Sequence, residues 1–478
     1  MFSKRLELLP REKVETIKEN AISILEEVGF AYRHQDALKI LEDHGATVDY
    51  SKEVAKIPRE LVLECLSKAP KQYVLEQPQG SRIDIGDGKI KATMCLEMQL
   101  VDYRTMERRP GRTEDCIRSI AVGNELENIS SVSPFVVPSD VHPNIADVRG
   151  YRMLFTYSRK PGYAWIYSPR SCRYILEMAK VLVGGEGELR KKKIVSYGAE
   201  PTSPLQLSHH AIDILMEMAK YGLPISASGS MSLLGGTAPV TIAGALSLQT
   251  AEVLAGIVLV NLIDPSSPVS FSTSVHVLDQ RTALCSFGAP ENTLAALAGI
   301  QVAREFGLAC FANVALTDSN IPDFQSGFEK AISAALVLAA GAEDIGQQGI
   351  VGADQGASLE QLIIDNEWFN YLDRLLRGFE VNQETLAVDV IRKVGIGGSF
   401  LKERHTLKKM REEIWYPALF NRKDWIGWTK RGGTDLLGRA RDLLDRILKD
   451  NYPPTPAIDK DIADQLLRIE TDAAKMLI

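Results

Sequence analysis

Four segments decide the fold: 194–200 (IVSYGAE), 224–230 (PISASGS), 269–276 (VSFSTSVH) and 309–317 (ACFANVALT). Each reads as a short strand, and each is followed by a helical stretch rich in Ala, Gly and Leu. Side chains alternate across a strand, so every second residue shares a face. That face collects Ser196 and Glu200, then Ser226, Ser228 and Ser230, then Ser270, Ser272, Ser274 and His276, then Asn313 and Thr317. A parallel sheet covered on both sides normally runs as unbroken Val, Ile and Leu. Four strands with hydroxyls, an amide or a carboxylate on one face predict a different object. The expectation is an α/β chain built as a TIM-type barrel whose interior binds a ligand, with its chemistry at the strand C-termini.

Around this unit the chain divides into three. Residues 11–28 have helical periodicity, with Val14, Ile17, Ala21, Ile22 and Leu25 on one side and Gly29 as the stop. Further helices are expected over 35–44 and 58–68, giving a helical N-terminal region over 1–88 that ends in a turn-rich patch. The barrel is expected over 89–380, with earlier strands at 92–101, 129–137 and 161–168 (PGYAWIYS). Ser203-Pro204, Thr237-Ala-Pro239 and Gly288-Ala-Pro290 read as helix starts, a capping or small residue ahead of a first-turn proline. Residues 381–478 read as a helical C-terminal region. Within it 415–435, with Trp415, Trp425, Trp428 and Gly432-Gly433, reads as a cap or oligomer contact.

Composition excludes several classes. With 478 residues and 45% hydrophobic content the chain can bury a large core. A net charge of −7 without a basic stripe argues against nucleic acid or an anionic membrane as partner. The N-terminus lacks an apolar run, so no signal peptide is expected, and the apolar stretch 251–263 is too short to span a bilayer. Six scattered cysteines without CxxC fit reduced thiols in a cytoplasm. No HExxH, P-loop or GxGxxG occurs, so neither a zinc site nor a nucleotide site is expected. Between 194 and 354 the only lysines are Lys220 and Lys330, both in helical segments, which disfavours Schiff-base chemistry.

The segments 237–263 (TAPVTIAGALSLQTAEVLAGIVLVNLI) and 317–363 (TDSNIPDFQSGFEKAISAALVLAAGAEDIGQQGIVGADQGASLEQLI), with LVDYRTMERRP (100–110), Ser203-Pro204-Leu205 and LDQRTA (278–283), resemble the trimethylamine methyltransferase superfamily. The resemblance implies a (β/α)8 barrel moving a methyl group from a methylamine to the cobalt of a separate corrinoid protein. The founding members carry pyrrolysine in the barrel, whereas all 478 residues here are standard. That places the chain with the branch similar to enzymes of quaternary amines: glycine betaine first, then proline betaine, carnitine or γ-butyrobetaine. A quaternary ammonium leaves as a neutral tertiary amine and needs no acid, so positioning suffices and no catalytic acid or base is expected. No corrinoid-anchoring Asp-x-His-x-x-Gly is present, because Asp140-Val-His142 continues as Pro143-Asn144-Ile145. The cobalt corrinoid is therefore expected on a partner protein, with no cofactor held by this chain.

Such a cation is held by aromatic faces and sometimes a carboxylate. Tyr163, Trp165 and Tyr167 share one strand face and are the leading cage candidates, against simple packing on the outer helices. Phe135 and Phe311 are secondary candidates. Glu200 either faces the cation or caps the next helix. Ser228 and the neighbouring strand serines either meet a substrate carboxylate or bind backbone and water. His276 is a candidate partner for a betaine carboxylate, with Arg281 as the alternative. Asp318 and Gln347 end the last two strands. The run Arg104, Arg108, Arg109 and Arg112 is either a solvated loop or a docking element. Two rivals stay open: a metal-dependent barrel lyase or hydrolase using acids such as Glu200 and Asp318, and a non-catalytic betaine-binding protein.

Overall fold

A computed structural model of the chain describes residues 5–227 and 231–478. Its centre is a six-stranded, wholly parallel sheet. In chain order the strands are β1 (Lys91–Met94), β2 (Tyr197–Ala199), β3 (Ile225–Ala227), β4 (Val269–Thr273), β5 (Cys310–Ala312) and β6 (Asp344–Gln348), paired in the order β2-β3-β4-β5-β6-β1. The registers Tyr197↔Ile225, Ile225↔Val269, Phe271↔Cys310, Phe311↔Asp344 and Asp344↔Lys91 carry the sheet round, so that the last strand returns to the first.

Beyond β1 the sheet continues only through isolated parallel bridges, Thr93↔Ser131 and Val132↔Gly162, and the short pair Phe135–Val136 with Leu96–Glu97. Among the described residues no ladder joins 161–168 to β2. The structure is thus a curled parallel sheet, and the closed ring expected from the sequence is open along one seam. Tyr163 donates its N–H to Val132, whereas the N–H of Tyr167 goes to the Asp147 carboxylate at 2.8 Å and is withheld from any strand partner.

Helices cover the outer face. The N-terminal helix is α1 (Arg11–Glu27); α2 (His209–Ala219), α3 (Ile242–Ile263), α4 (Pro290–Glu305), α5 (Phe324–Ala340) and α6 (Leu359–Arg377) follow successive strands, and α1 packs on α3 and α4. Two expected helix starts shift. The turn at Ser203-Pro204 feeds a short strand, Gln206–Leu207, and α2 begins only where the Ser208 side chain accepts the N–H of Ala211. Likewise α3 begins after Thr241, beyond Pro239. Gly288-Ala-Pro290 does open α4. The length argument at 251–263 also fails, because α3 runs 22 residues and is long and apolar enough to cross a bilayer. It is instead enclosed by protein on nearly every side, which makes it a core helix.

The N-terminal region is less helical than expected. Phe30–Tyr32, Thr47–Asp49 and Val54–Lys56 form a small sheet that Gln206–Leu207 extends, tying this region to the segment that follows β2. The turn-rich patch belongs to a hairpin, Tyr73–Glu76 with Arg82–Ile85, that plugs the N-terminal end of the sheet. It is held there by Val269 N–H on Pro70, Glu76 N–H on Lys193 and Gly86 N–H on Glu343. The main apolar core draws on residues from Val14 to Leu477, and a smaller one gathers Leu234, Leu248 and Val275.

Candidate active site

The hairpin floor and the strand faces enclose a cavity of about 190 Å³. Its walls are the alternate residues of the strands: Ser196, Gly198 and Glu200; Ser226; Ser272 and Ser274; Phe311 and Asn313; Asp344 and Gly346. Tyr73, Leu75, Ile83 and Ile85 of the hairpin close the bottom. Gln347 breaks the alternation. The β6 register slips between Ile345 and Gln348, and Gln347 takes φ +67°, which swings its side chain inward. A left-handed non-glycine residue at such a place is held by its surroundings and points to a ligand-facing role. Its Oε1 is buried without a protein partner, as are Asn313 Oδ1 and Asp344 Oδ1.

A second cavity of about 360 Å³ adjoins the first, sharing Tyr163, Tyr197, Gly198 and Glu200 with it. It is lined only by 163–167 and 197–200, the two segments that flank the open seam. Trp165 and Tyr167 meet there edge to face, with ring centroids 6.3 Å apart.

Among the described residues lining the two cavities there is no Lys, Arg or His, whereas two are acids. Burial pushes the Asp344 carboxyl up to about 6, against the hydrogen bond from Thr93 (2.8 Å) and the pull of Lys91. Glu200 keeps contact with solvent through the opening, yet protein crowds it closely. That desolvation raises its carboxyl, and the negative Asp354 adds to the rise. Near the mouth Glu97, at the end of the first strand segment, is pushed up to about 9. Burial is the larger cause, and Asp354, with which it shares a hydrogen bond, is the next. The rim is therefore acidic, and burial disfavours the charged forms of Glu200 and Glu97.

The residues singled out from sequence fall into three groups. Tyr163, Glu200, Phe311 and Gln347 line the inner cavity, and Trp165 and Tyr167 line the outer one. Ser228 lies outside the described residues, as does Ser230. His276, Asp318 and Phe135 do not line either cavity. Phe135 is wholly buried at φ +70°, its ring against the space a Cβ on Gly349 would fill, so it is core. Asp318 accepts from Ser286 Oγ and from Phe287 N–H at 2.6 Å, which fixes the 275–286 hairpin instead of meeting a ligand. Asn292 Nδ2 donates to His276 Nδ1 at 3.0 Å, which puts the ring proton on Nε2. Complete burial pulls this imidazole down to about 4, so it is neutral at pH 7 and offers a carboxylate no charge. Arg281 is an exposed turn residue. In the arginine run, Arg104 meets Asp445, Arg109 grips Asp115 with two bonds (2.7 and 2.8 Å) and Arg108 reaches the Gln355 carbonyl.

Asp344, Tyr197, Tyr73 and Glu97 went unnoticed. Asp344 was legible in principle, two residues before Gly346 on an inward face. Tyr73 comes from the hairpin outside the parallel sheet, where the parity of the sheet strands says nothing.

Away from the cavity the fold gathers His34, His209 and Asp213, a cluster the sequence did not reveal. His34 Nδ1 accepts the N–H of Ala37 as a helix cap, so its Nε2 carries the proton and donates to Asp213 at 3.0 Å. That protonation uses the lone pair a metal would need, and the trio reads as a hydrogen-bonded clasp between the N-terminal region and α2.

Comparison with known proteins places this architecture. The model of the trimethylamine methyltransferase (MTTB) family matches residues 2–473. The chain belongs to this family. Within it, the chain is 30% identical over 452 residues to a trimethylamine methyltransferase, MttB, of Desulfitobacterium hafniense (strain DSM 10664 / DCB-2), covering 94% of this chain and 90% of that one. It is 33% identical over 472 residues to MttB of Methanosarcina thermophila, covering 96% and 95%. It is also 28% identical over 466 residues to a glycine betaine methyltransferase of Desulfitobacterium hafniense (strain Y51), covering 96% and 95%. This family member thus aligns end to end both with relatives named for a tertiary amine and with one named for a quaternary amine.

Proposed function

We propose that this protein holds a quaternary amine in the barrel cavity and presents one methyl group to the Co(I) of a separate corrinoid protein. Glycine betaine is the favoured substrate, and dimethylglycine the amine released. The observation that carries this reading is the cavity wall. It offers the rings of Tyr73, Tyr163, Tyr197 and Phe311 and the acids Glu200 and Asp344, with no base among the described lining residues. Aromatic faces and carboxylates attract a cation that cannot donate a hydrogen bond, each ring contributing about 0.5–2 kcal/mol.

The chain's own part is to bind and aim. The rings and acids hold the ammonium with one N–CH₃ bond directed outward, and the bound corrinoid supplies the nucleophile. The departing amine is neutral, so no proton need be delivered, which accords with a wall free of histidine and lysine. Aiming converts a bimolecular encounter into a positioned one. Ser274 has a specific part. It accepts from Asn313 Nδ2 at 3.1 Å and stands 3.1 Å from the protonated Nε2 of His276, which leaves its own O–H to donate. A betaine carboxylate would receive that proton donor in place of a basic residue. We also read 131–136 and 161–168 as the second and third staves of an eight-stranded barrel, supported by their parallel bridges, and place the protein in the cytoplasm, where its six cysteines stay as thiols.

The absence of a base among the lining residues favours a second substrate reading, a quaternary ammonium with an uncharged tail. An anaerobic assay separates them. Methyl-cobalt absorbance is followed with Co(I) cobalamin against glycine betaine, proline betaine, carnitine, choline, tetramethylammonium and trimethylamine. Turnover of glycine betaine is expected. Turnover of choline or tetramethylammonium alone selects the second reading, and turnover of trimethylamine alone overturns both.

A further inference from the structure

Between Arg377 and Arg439 the only buried residue is Leu419. The segment is nevertheless ordered into the helices Gln383–Leu386, Val388–Val394, Arg404–Glu413 and Trp425–Thr429, none with a buried side chain. Its sequence is not that of a solvated linker. Phe379, Ile396, Leu401, Leu407 and Trp425 are each at least 74% exposed. The segment is moored to the body around residues 413–420, through Leu419, the half-buried Phe420, the Trp415 ring edge-on to Tyr371 at 5.3 Å and a few polar contacts. Glu367 accepts the N–H groups of Leu419 (2.8 Å) and Phe420 (2.9 Å), and Arg374 bonds the Glu413 carbonyl. Ordering a backbone costs conformational entropy that apolar burial normally offsets. Helices this short do not hold in water on their own. A surface this apolar on a folded chain marks an interface.

Charge indicates what covers it. Residues 379–433 contain eleven Lys and Arg against seven Asp and Glu, a net +4. The rest of the chain carries 44 against 55, a net −11. The arm is thus complementary in sign to the body of its own kind, and soluble assemblies are most often built from identical chains.

We propose that the arm 379–433 packs on the body of a second copy of this chain, which makes the protein an obligate homo-oligomer through it. The Trp425–Trp428 pair, with ring centroids 5.1 Å apart, sits at the arm's basic end and becomes part of that buried contact.

The test is the mass of the full-length chain in solution by sedimentation velocity at micromolar concentration. The wild type is expected as a dimer or larger. Leu401→Glu with Leu407→Glu, at two exposed positions, is expected to give monomer with unchanged far-ultraviolet circular dichroism. A photo-crosslinking residue at position 396 supplies a second readout that does not depend on the variant folding, and a covalent dimer band is expected. A monomeric wild type overturns the proposal, as does an oligomer whose mass and crosslinks ignore the arm. A wild type that gains mass only when a corrinoid protein is added also overturns it, since the arm would then serve that partner.

Discussion

His276 stands directly behind Ser274, its Nε2 3.1 Å from the serine Oγ, with Asn292 fixing the ring from the other side. A residue that reads in sequence as a binding group is therefore a positioning group, sealed from the cavity and acting through the hydroxyl in front of it. Replacing His276 by Gln or Ser274 by Ala should raise KM for glycine betaine roughly 3- to 10-fold, the worth of one hydrogen bond. The kcat should stay within about twofold. Tetramethylammonium, which has no carboxylate, should show no such rise. An equal loss for both substrates would mean that His276 only supports packing.

The same burial makes His276 an acid-sensitive element. Its folded value near 4 lies below the ordinary 6.5, so between those values the unfolded chain binds the proton that the folded chain refuses. Stability from this site is complete above pH 6.5 and is lost as pH falls towards 4. The full shift corresponds to about 3 kcal/mol. Denaturant melts at pH 7 and pH 4.5 should show a smaller acid loss in His276→Gln than in the wild type; an identical loss would contradict this.

Much of the fold was readable because strand parity is a strong constraint. Ser196, Glu200, Ser226, Ser272, Ser274 and Asn313 share a face by alternation, and the structure puts all six on one cavity. The earlier strands were read less well. In 161–168 parity puts Tyr163, Trp165 and Tyr167 on one side, and all three line the outer cavity, but parity does not tell that Asp147 captures the Tyr167 N–H. His276 was misjudged for a related reason. The strand breaks after Thr273, and the residues beyond it, Val275–Asp279, pair in a different sheet with Ser232–Leu234. Alternation counted through that break assigns the wrong environment. Asp318 and Phe135 depend on contacts with distant loops, to which local pattern is blind.

Asp344 should make cation binding depend on pH. With its carboxyl near 6 it is ionised at pH 7.5 and protonated below pH 5, so affinity for a quaternary ammonium should fall up to tenfold per unit below 6. Calorimetric titration with tetramethylammonium from pH 5 to 8 measures this directly. Asp344→Asn should bind weakly at every pH and flatten the profile. A variant that keeps the wild-type profile would assign the titration to Glu200 or to Glu97.

Trp165 tests the outer chamber. If its ring faces the cation, Trp165→Leu should weaken tetramethylammonium binding roughly 2- to 30-fold, the range of one cation–π contact. Trp165→Phe should recover part of it. Unchanged affinity in the leucine variant would confine the ligand to the inner cavity and leave Trp165 as packing against the seam.

Asp365 underpins the strand end that carries Gln347. It is wholly buried and accepts from Lys330 Nζ (3.0 Å), Gly349 N–H (2.7 Å), Gln361 Nε2 (2.7 Å) and Trp368 Nε1 (2.8 Å). Lys330 is equally buried, which explains why a lysine of the barrel helices is no candidate nucleophile. Gly349 must stay close to this carboxylate at φ +94°, with the Phe135 ring filling the space beside it. Removing one partner of such a pair strands the other charge, so Asp365→Ala should cost about 3–5 kcal/mol. The double change Asp365→Leu with Lys330→Met removes both charges and should recover much of that loss. Denaturant midpoints of the single and double variants read the difference. A single variant within about 1 kcal/mol of the wild type would show that Lys330 finds water or another acceptor, and that Asp365 does not hold the turn in place.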